Sequence, residues 1–454
     1  MNALITIASF LVTVGILVVI HELGHYAAAR WVGVKILRFS VGFGRVLWSR
    51  ERGPDRTEWA LSAVPLGGYV KMLDEREGVV AANELHRAFN RQGVGARIFV
   101  VLAGPAANFL LALVLYWALF ITGLPGVKPV LGDPARNTPA AVAGLANGDT
   151  VKAIGDEAVF TWTDVRWLLL KEAVKRESAT LEVETSSGAR VTRRLDLAAL
   201  TKDDLDHDFL VKLGLRPFRP RVPAELGRIL PGGAAERAGL RPGDRVIAIS
   251  GHPVETWFEF TAEVASNPGR ALVFEIARGA ERLRVEATPD RSPEDASKGR
   301  LGVEAGAQLK REYERMTTTV RYGPVEAIGK AASKVYDLSV FSLKMLGRMI
   351  VGDVSWKNLS GPITIADYAG QSAQLGWITY LGFLALVSVS LGVLNLLPIP
   401  LLDGGHLVYY LAEIVKGSPV SERAMEIGQR FGLALLLGLT FFAFYNDLNR
   451  LFTG

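Results

Sequence analysis

Four runs of apolar residues dominate the hydrophobic pattern of the chain, at about 3–29, 97–122, 376–397 and 428–446. Each is near twenty residues or longer. In helical form the first would extend about 40 Å, enough to cross a hydrocarbon layer of about 30 Å with some tilt. One such run can be a buried helix of a soluble protein, but four together predict membrane spans. Basic residues crowd particular flanks: Arg30, Lys35, Arg38, Arg45, Arg50, Arg52 and Arg56 after the first run, Arg87, Arg91 and Arg97 before the second, and Lys416, Arg423 and Arg430 after the third. The excess of Lys and Arg predicts cytoplasmic loops there. It then places both termini and the long segment 123–375 on the opposite side.

Between the runs the pattern changes period. Residues 39–73 alternate apolar with polar around glycines and predict a small hairpin sheet beside the first span. An edge of that sheet, at 66–71, would offer backbone groups to an extended peptide; packing at the membrane surface is the plainer role. Residues 123–310 have a soluble pattern with an internal repeat: TPAAVAGLANGDTVKAIGDEAVFTW at 138–162 recurs as GAAERAGLRPGDRVIAISGHPVETW at 233–257. Each copy predicts a short helix, a Gly-Asp turn, a strand, a second helix after the tryptophan and then a hairpin, at 181–197 and 272–289. The shared Gly-Leu-x-x-Gly-Asp run resembles that of PDZ domains. That likeness implies an edge for an extended peptide or a C-terminus, with a spacer or size filter as the plainer alternative. Residues 310–350 are apolar but charge-punctuated, predicting a helix on the membrane surface or packed as a connector.

The chain has 454 residues, 49% of them hydrophobic and 21% charged, as a mixture of spans and soluble domains requires. It has no cysteine, which excludes disulfides, thiol nucleophiles and thiolate metal sites. The net charge of +5 is dispersed or beside the spans, so a nucleic-acid partner is not expected. A cleaved leader is not expected either: no Lys or Arg precedes the first apolar run, and the run is too long.

The first run contains the sequence His21-Glu22-Leu23-Gly24-His25. Imidazoles four residues apart share one helix face, the spacing a zinc ion needs. Glu22 lies beside the first and can serve as general base toward a water that zinc acidifies. Titratable groups at that depth are costly, so the cluster marks function. The competing readings are a polar packing or ion-transport cluster in a transporter, and a non-catalytic scaffold that recruits partners through the repeats. A third protein ligand is needed. His86, His207 and His252 fall outside the spans, whereas NLLPIPLLDGGH at 395–406 offers Asp403 and His406 at matching depth. Pro398 and Pro400 would break the helix there, and Gly404 and Gly405 would free the chain after the aspartate. Such broken backbone is tolerated where it lines a cavity. Chemistry alone leaves Asp403 and His406 in competition. Asn395 could hydrogen-bond a substrate carbonyl or stabilise an oxyanion, or simply end the helix.

The HELGH of the first span, the LDGGH at 402–406 and the inserted repeats together resemble the site-2 protease family of intramembrane zinc metalloproteases, over essentially the whole chain. The resemblance implies a polytopic alpha-helical membrane protein with four spans, a membrane-associated beta-hairpin region and two inserted PDZ-like domains. It implies one zinc ion per chain on His21, His25 and Asp403, with Glu22 as the base. It implies that Asn395 and Pro398 help place the substrate backbone, and it matches the family's Pro-x-Gly-Gly run to Pro65–Gly68, which brings Gly67, Gly68 and Tyr69 into the substrate site. Nothing in the metal pattern departs from the family.

The same resemblance suggests clients. They are single-span membrane proteins already shortened by a first protease, typically an anti-sigma factor whose release starts an envelope-stress response, with signal-peptide remnants as a second class. It suggests the bacterial inner membrane, an active site toward the cytoplasm, and periplasmic repeats that exclude bulky substrates. The expected divisions are the first span at 1–36, hairpin sheet at 37–75, cytoplasmic linker at 76–96, second span at 97–122, repeats at 123–219 and 220–309, amphipathic connector at 310–375, third span with the LDG segment at 376–410, cytoplasmic loop at 411–427, and fourth span with the C-terminus at 428–454.

Overall fold

The computed structural model describes residues 3–173, 178–198, 200, 204, 209–292, 295–352, 354, 356 and 361–453. Four of its helices are long and apolar enough to cross a membrane: Ala3–Trp31, Val94–Thr122, Trp377–Asn395 and the one beginning at Glu422. The protein is therefore a polytopic helical membrane protein. The chain divides into two compact units, Pro125–Thr319 and the remainder, Asn2–Leu124 with Val320–Gly454.

In the membrane unit the second span packs against both the first and the third. Lipid offers no hydrophobic drive for helices to associate, so small residues and interhelical hydrogen bonds must hold them. Gly24 in the first span lets the backbone at Ala103 approach so closely that a Cβ would overlap it. Thr13 Oγ1 donates to Tyr380 Oη at 2.9 Å, and Tyr380 Oη donates to Ser9 O at 3.0 Å, which ties the first span to the third. Ser388 Oγ donates to Asn108 O at 2.7 Å, which ties the third to the second. The fourth span is the least buried. Its Gly428 and Gly432, one turn apart, lie against Tyr409 and Pro400.

The sequence stretch 310–375 holds two further helices of this unit. Pro324–Ile350 packs along the second and third spans, and Pro362–Leu375 packs against the first. The second of these starts at a proline, whose missing N–H costs nothing at a first helical position. Its remaining free N–H groups are capped from far along the chain. Asp447 accepts from the N–H groups of Gly361, Ile363 and Thr364 at 2.9–3.1 Å and from Thr364 Oγ1 at 2.6 Å.

The strands Ile36–Arg52 and Thr57–Met72 form an antiparallel sheet that curls on itself. Phe39 lies opposite Val70 on one side and Trp59 on the other, while Trp59 also faces Arg50. The 68–72 segment thus borders 36–41 on one side and pairs with no other strand among the described residues. The rings of Tyr26, Phe39 and Trp59 pack edge-on and tilted against one another and fix the sheet to the first span. Gly67 adopts φ +140°, and the Phe43 ring occupies the space a Cβ would need.

The other unit repeats one architecture. Strand Thr150–Ile154 is flanked by Glu157–Ala158 and Ala179–Glu184, which pairs on with Arg190–Leu195. Arg245–Ile249, His252–Pro253, Leu272–Arg278 and Glu281–Ala287 take the same order. The matched positions Leu145 and Leu240, Val151 and Val246, and Ile154 and Ile249 fall in two separate cores. Gly148 and Gly243 take φ +86° and +87°, a conformation that favours glycine. The aspartate after each closes the turn: Asp149 accepts from Ala146 N and Asp244 from Arg241 N.

Candidate metal centre

The first span presents His21 and His25 on one face because one helical turn separates them. The helix Asp403–Lys416 brings its first residue to the same point. That helix follows the third span after a break at 396–402, in which Leu401 takes φ +91°. Gly404 and Gly405 have a different role from the one expected of them. They are helical, and their missing side chains let the carbonyls of Leu396, Leu397 and Ile399 fold down onto the helix start. This close approach aims Asp403.

One donor atom from each of His21, His25 and Asp403 lies within 4.8 Å of the others. The two Nε2 atoms are 3.2 Å apart, and they stand 3.2 and 3.4 Å from the two carboxylate oxygens of Asp403. Asp403 Oδ2 is buried with no hydrogen-bond partner despite its nearness to His21. Two imidazole nitrogens and a buried carboxylate oxygen without a hydrogen-bond partner, converging on one point, form a donor set that suits zinc. His406 competes poorly. Its ring packs edge-on to Tyr409 and is not in the cluster. His86 lies in the short helix Leu85–Arg87, His252 is in an exposed strand, and His207 falls outside the described residues.

The second span supplies supports that the sequence reading passed over. Val100 O accepts from His25 Nδ1 at 2.8 Å. A carbonyl only accepts, so the proton sits on Nδ1 and the Nε2 lone pair of the neutral ring faces the cluster. Gly104, one turn on, leaves room for both rings: a Cβ there would lie 2.8 Å from His21 Cε1 and nearer still to His25. Asn108, fully buried one turn further, stands 3.1 Å from His21 Nδ1. A signal was present in GPAAN, because an asparagine in mid-span is costly unless it has a partner.

A cavity of ≈ 1110 Å³ opens onto this cluster, and Glu22, Gly68, Tyr69, Asn395 and His406 share its wall. Gly68 must be small there, since a Cβ would meet Ser40 O, Val18 and Glu22 Cγ. Gly67 and Pro398 are not among the residues of that wall. Arg97 clamps the lip: it binds Glu413 at 2.6 Å and lies over the Tyr410 ring at 4.9 Å.

A largely buried two-histidine, one-carboxylate centre inside a bundle of spans, with a glutamate between the histidines, is the arrangement of a membrane-embedded metallopeptidase. Comparison with known proteins agrees. The Peptidase family M50 profile matches residues 9–439. The chain is 42% identical to the regulator of sigma-E protease RseP of Escherichia coli, over 98% of each chain. It is 43% identical to a putative zinc metalloprotease of Ralstonia nicotianae, over 99% of each, and 41% identical to the RseP of Salmonella typhimurium, over 99% of this chain and all of that one. The chain belongs to peptidase family M50 and is an intramembrane zinc metalloprotease.

Proposed function

We propose that His21, His25 and Asp403 hold one zinc ion per chain and that Glu22 is the base for hydrolysis of peptide bonds within transmembrane segments. The observation that carries this reading is the convergence of the three donor groups in a largely buried site on the wall of a polar cavity. A zinc ion supplies Lewis-acid polarisation and lowers the pKa of water. Glu22, on the same wall, accepts a proton from the attacking water and returns it to the leaving amine nitrogen.

A transmembrane helix hides its peptide bonds in its own hydrogen bonds, so about one turn must unwind before attack. Gly68 and Tyr69, on the unpaired border of the curled sheet, would hold the opened backbone as an added strand. Asn395, at the end of the third span, would donate its amide to a substrate carbonyl as negative charge develops. Gly67 and Pro398 would act at one remove: Gly67 seats the Phe43 ring beneath the border segment, and Pro398 keeps the 396–402 break from becoming helix. The two repeats read as PDZ-like domains that admit only substrates already trimmed. The excess of basic residues between the first and second spans and after the third supports an inner-membrane orientation with the active site toward the cytoplasm and both termini and the repeats outside. By analogy with the relatives named for sigma-E regulation, the client would be a truncated single-span anti-sigma factor, with signal-peptide remnants as a second class.

The test is metal content beside cleavage. Purified protein should carry one zinc per chain and cut a truncated single-span substrate inside its span. Asp403→Ala should lose both. Zinc retained at full stoichiometry in that variant would remove Asp403 from the site.

A further inference from the structure

We infer that Asn108 is a positioning residue that fixes the orientation and tautomer of His21 by accepting its Nδ1–H through the side-chain amide oxygen. The inference rests on the metal-site reading above and adds to it a residue outside the ligand set.

The second span aims three groups at the histidine pair, one per turn: Val100 O, Gly104 and Asn108. Val100 O fixes the proton of His25 on Nδ1. His21 needs the same treatment, because both Nε2 atoms face Asp403 and only an unprotonated nitrogen can bind a cation. The side-chain amide of Asn108 is the group that stands at His21 Nδ1, at 3.1 Å. Its two ends are not equivalent. With the NH₂ toward the ring, His21 Nδ1 must accept, Nε2 carries the proton, and Asn108 Oδ1 is buried with no partner. Rotating the amide by 180° brings Oδ1 to Nδ1–H and frees the lone pair of Nε2 toward Asp403. The residue is fully buried, and its backbone carbonyl receives Ser388 Oγ at 2.7 Å from the third span, which fixes the turn that carries the amide.

The experiment measures zinc affinity by chelator competition in detergent for the full-length wild type, Asn108→Leu and Asn108→Asp. Ionised aspartate can only accept, as the inference requires; leucine keeps the bulk and loses the bond. The Leu variant should bind zinc about 10–100-fold more weakly, and the Asp variant should stay near wild type. Equal affinity in all three overturns the inference, as does an equal loss in both variants, which would make Asn108 a donor or a packing group. Nitrogen NMR of the histidine-labelled, zinc-loaded wild type, with only six histidines to resolve, gives a reading that does not depend on how the variants fold. His21 should show a protonated Nδ1 and a metal-bound Nε2; metal on Nδ1 overturns the inference. A wild type that binds no zinc overturns the metal site itself, a separate outcome.

Discussion

Gly104→Ala adds a single methyl group to the second span, and the account makes it one of the most damaging small changes available. The new Cβ would stand 2.6 Å from His25 Cε1 and 2.8 Å from His21 Cε1. Carbon atoms at rest sit about 3.5–4 Å apart, so the rings must retreat by nearly 1 Å. Zinc–nitrogen bonds of ~2.0–2.1 Å tolerate errors of only about 0.2 Å. The fold itself should survive. Overpacking of this kind costs about 1–3 kcal/mol, and alanine recovers up to about 1 kcal/mol over glycine within a helix. The expected result is a folded protein whose zinc affinity falls by at least about 100-fold and whose cleavage falls with it. Gly15→Ala is the control: it lies in the first span with nothing within 4 Å of the added atom. Zinc content, chelator competition and thermal unfolding would be measured on both variants. A Gly104→Ala protein that keeps stoichiometric zinc and wild-type cleavage would refute the reasoning, because the rings would then have room the geometry denies them.

Other perturbations report on the rest of the fold. Asp447→Asn keeps the shape of the cap on Pro362–Leu375 but replaces charge-assisted bonds with neutral ones, and should weaken that helix start by about 1–2 kcal/mol. Hydrogen exchange at Gly361–Thr364 should quicken while the spans stay protected, and unchanged exchange would remove the cap from the account. In the second repeat, burial pushes the Asp244 carboxyl up, but the Arg278 guanidinium, bonded to both its oxygens at 2.7 and 2.8 Å, and the Arg241 N–H hold it below the ordinary carboxylate range. A carboxyl depressed in the folded state stabilises above its unfolded pKa, and that contribution is lost as pH falls through the folded value. Protection factors across Leu272–Ala287, corrected for the intrinsic pH dependence of exchange, should therefore fall on acidification, and Arg278→Met should lower them already at neutral pH and make them less sensitive to acid. A Met variant with the wild-type acid profile would contradict this.

Much of this was legible because the features are local. The apolar runs gave the spans to within a few residues at most ends, and the His-Glu-x-x-His spacing put both histidines on one face of the first. The repeat at 138–162 and 233–257 foretold two sheets of one strand order, since matched residues fill matched cores. What escaped the reading depends on partners distant in the chain. The helix Pro362–Leu375 has no cap of its own, and its cap is a carboxylate 83 or more residues further on. The fourth span runs on from Glu422 because its polar first turns remain helical beyond the apolar core. Gly404 and Gly405 suggested freedom but serve close approach, which only the folded 396–402 break reveals. Gly104 and Asn108 carried a signal in their depth, yet their role depends on which helix faces them.

The most direct test of the central claim compares the wild type with Glu22→Gln, purified in detergent, on a truncated single-span substrate, with zinc measured in both. Glutamine keeps the size of the side chain and its place on the cavity wall but cannot take a proton. The account predicts equal zinc in the two proteins, cleavage within the span by the wild type, and a rate about 100–10,000-fold lower in the variant. Cleavage by Glu22→Gln at the wild-type rate would contradict it.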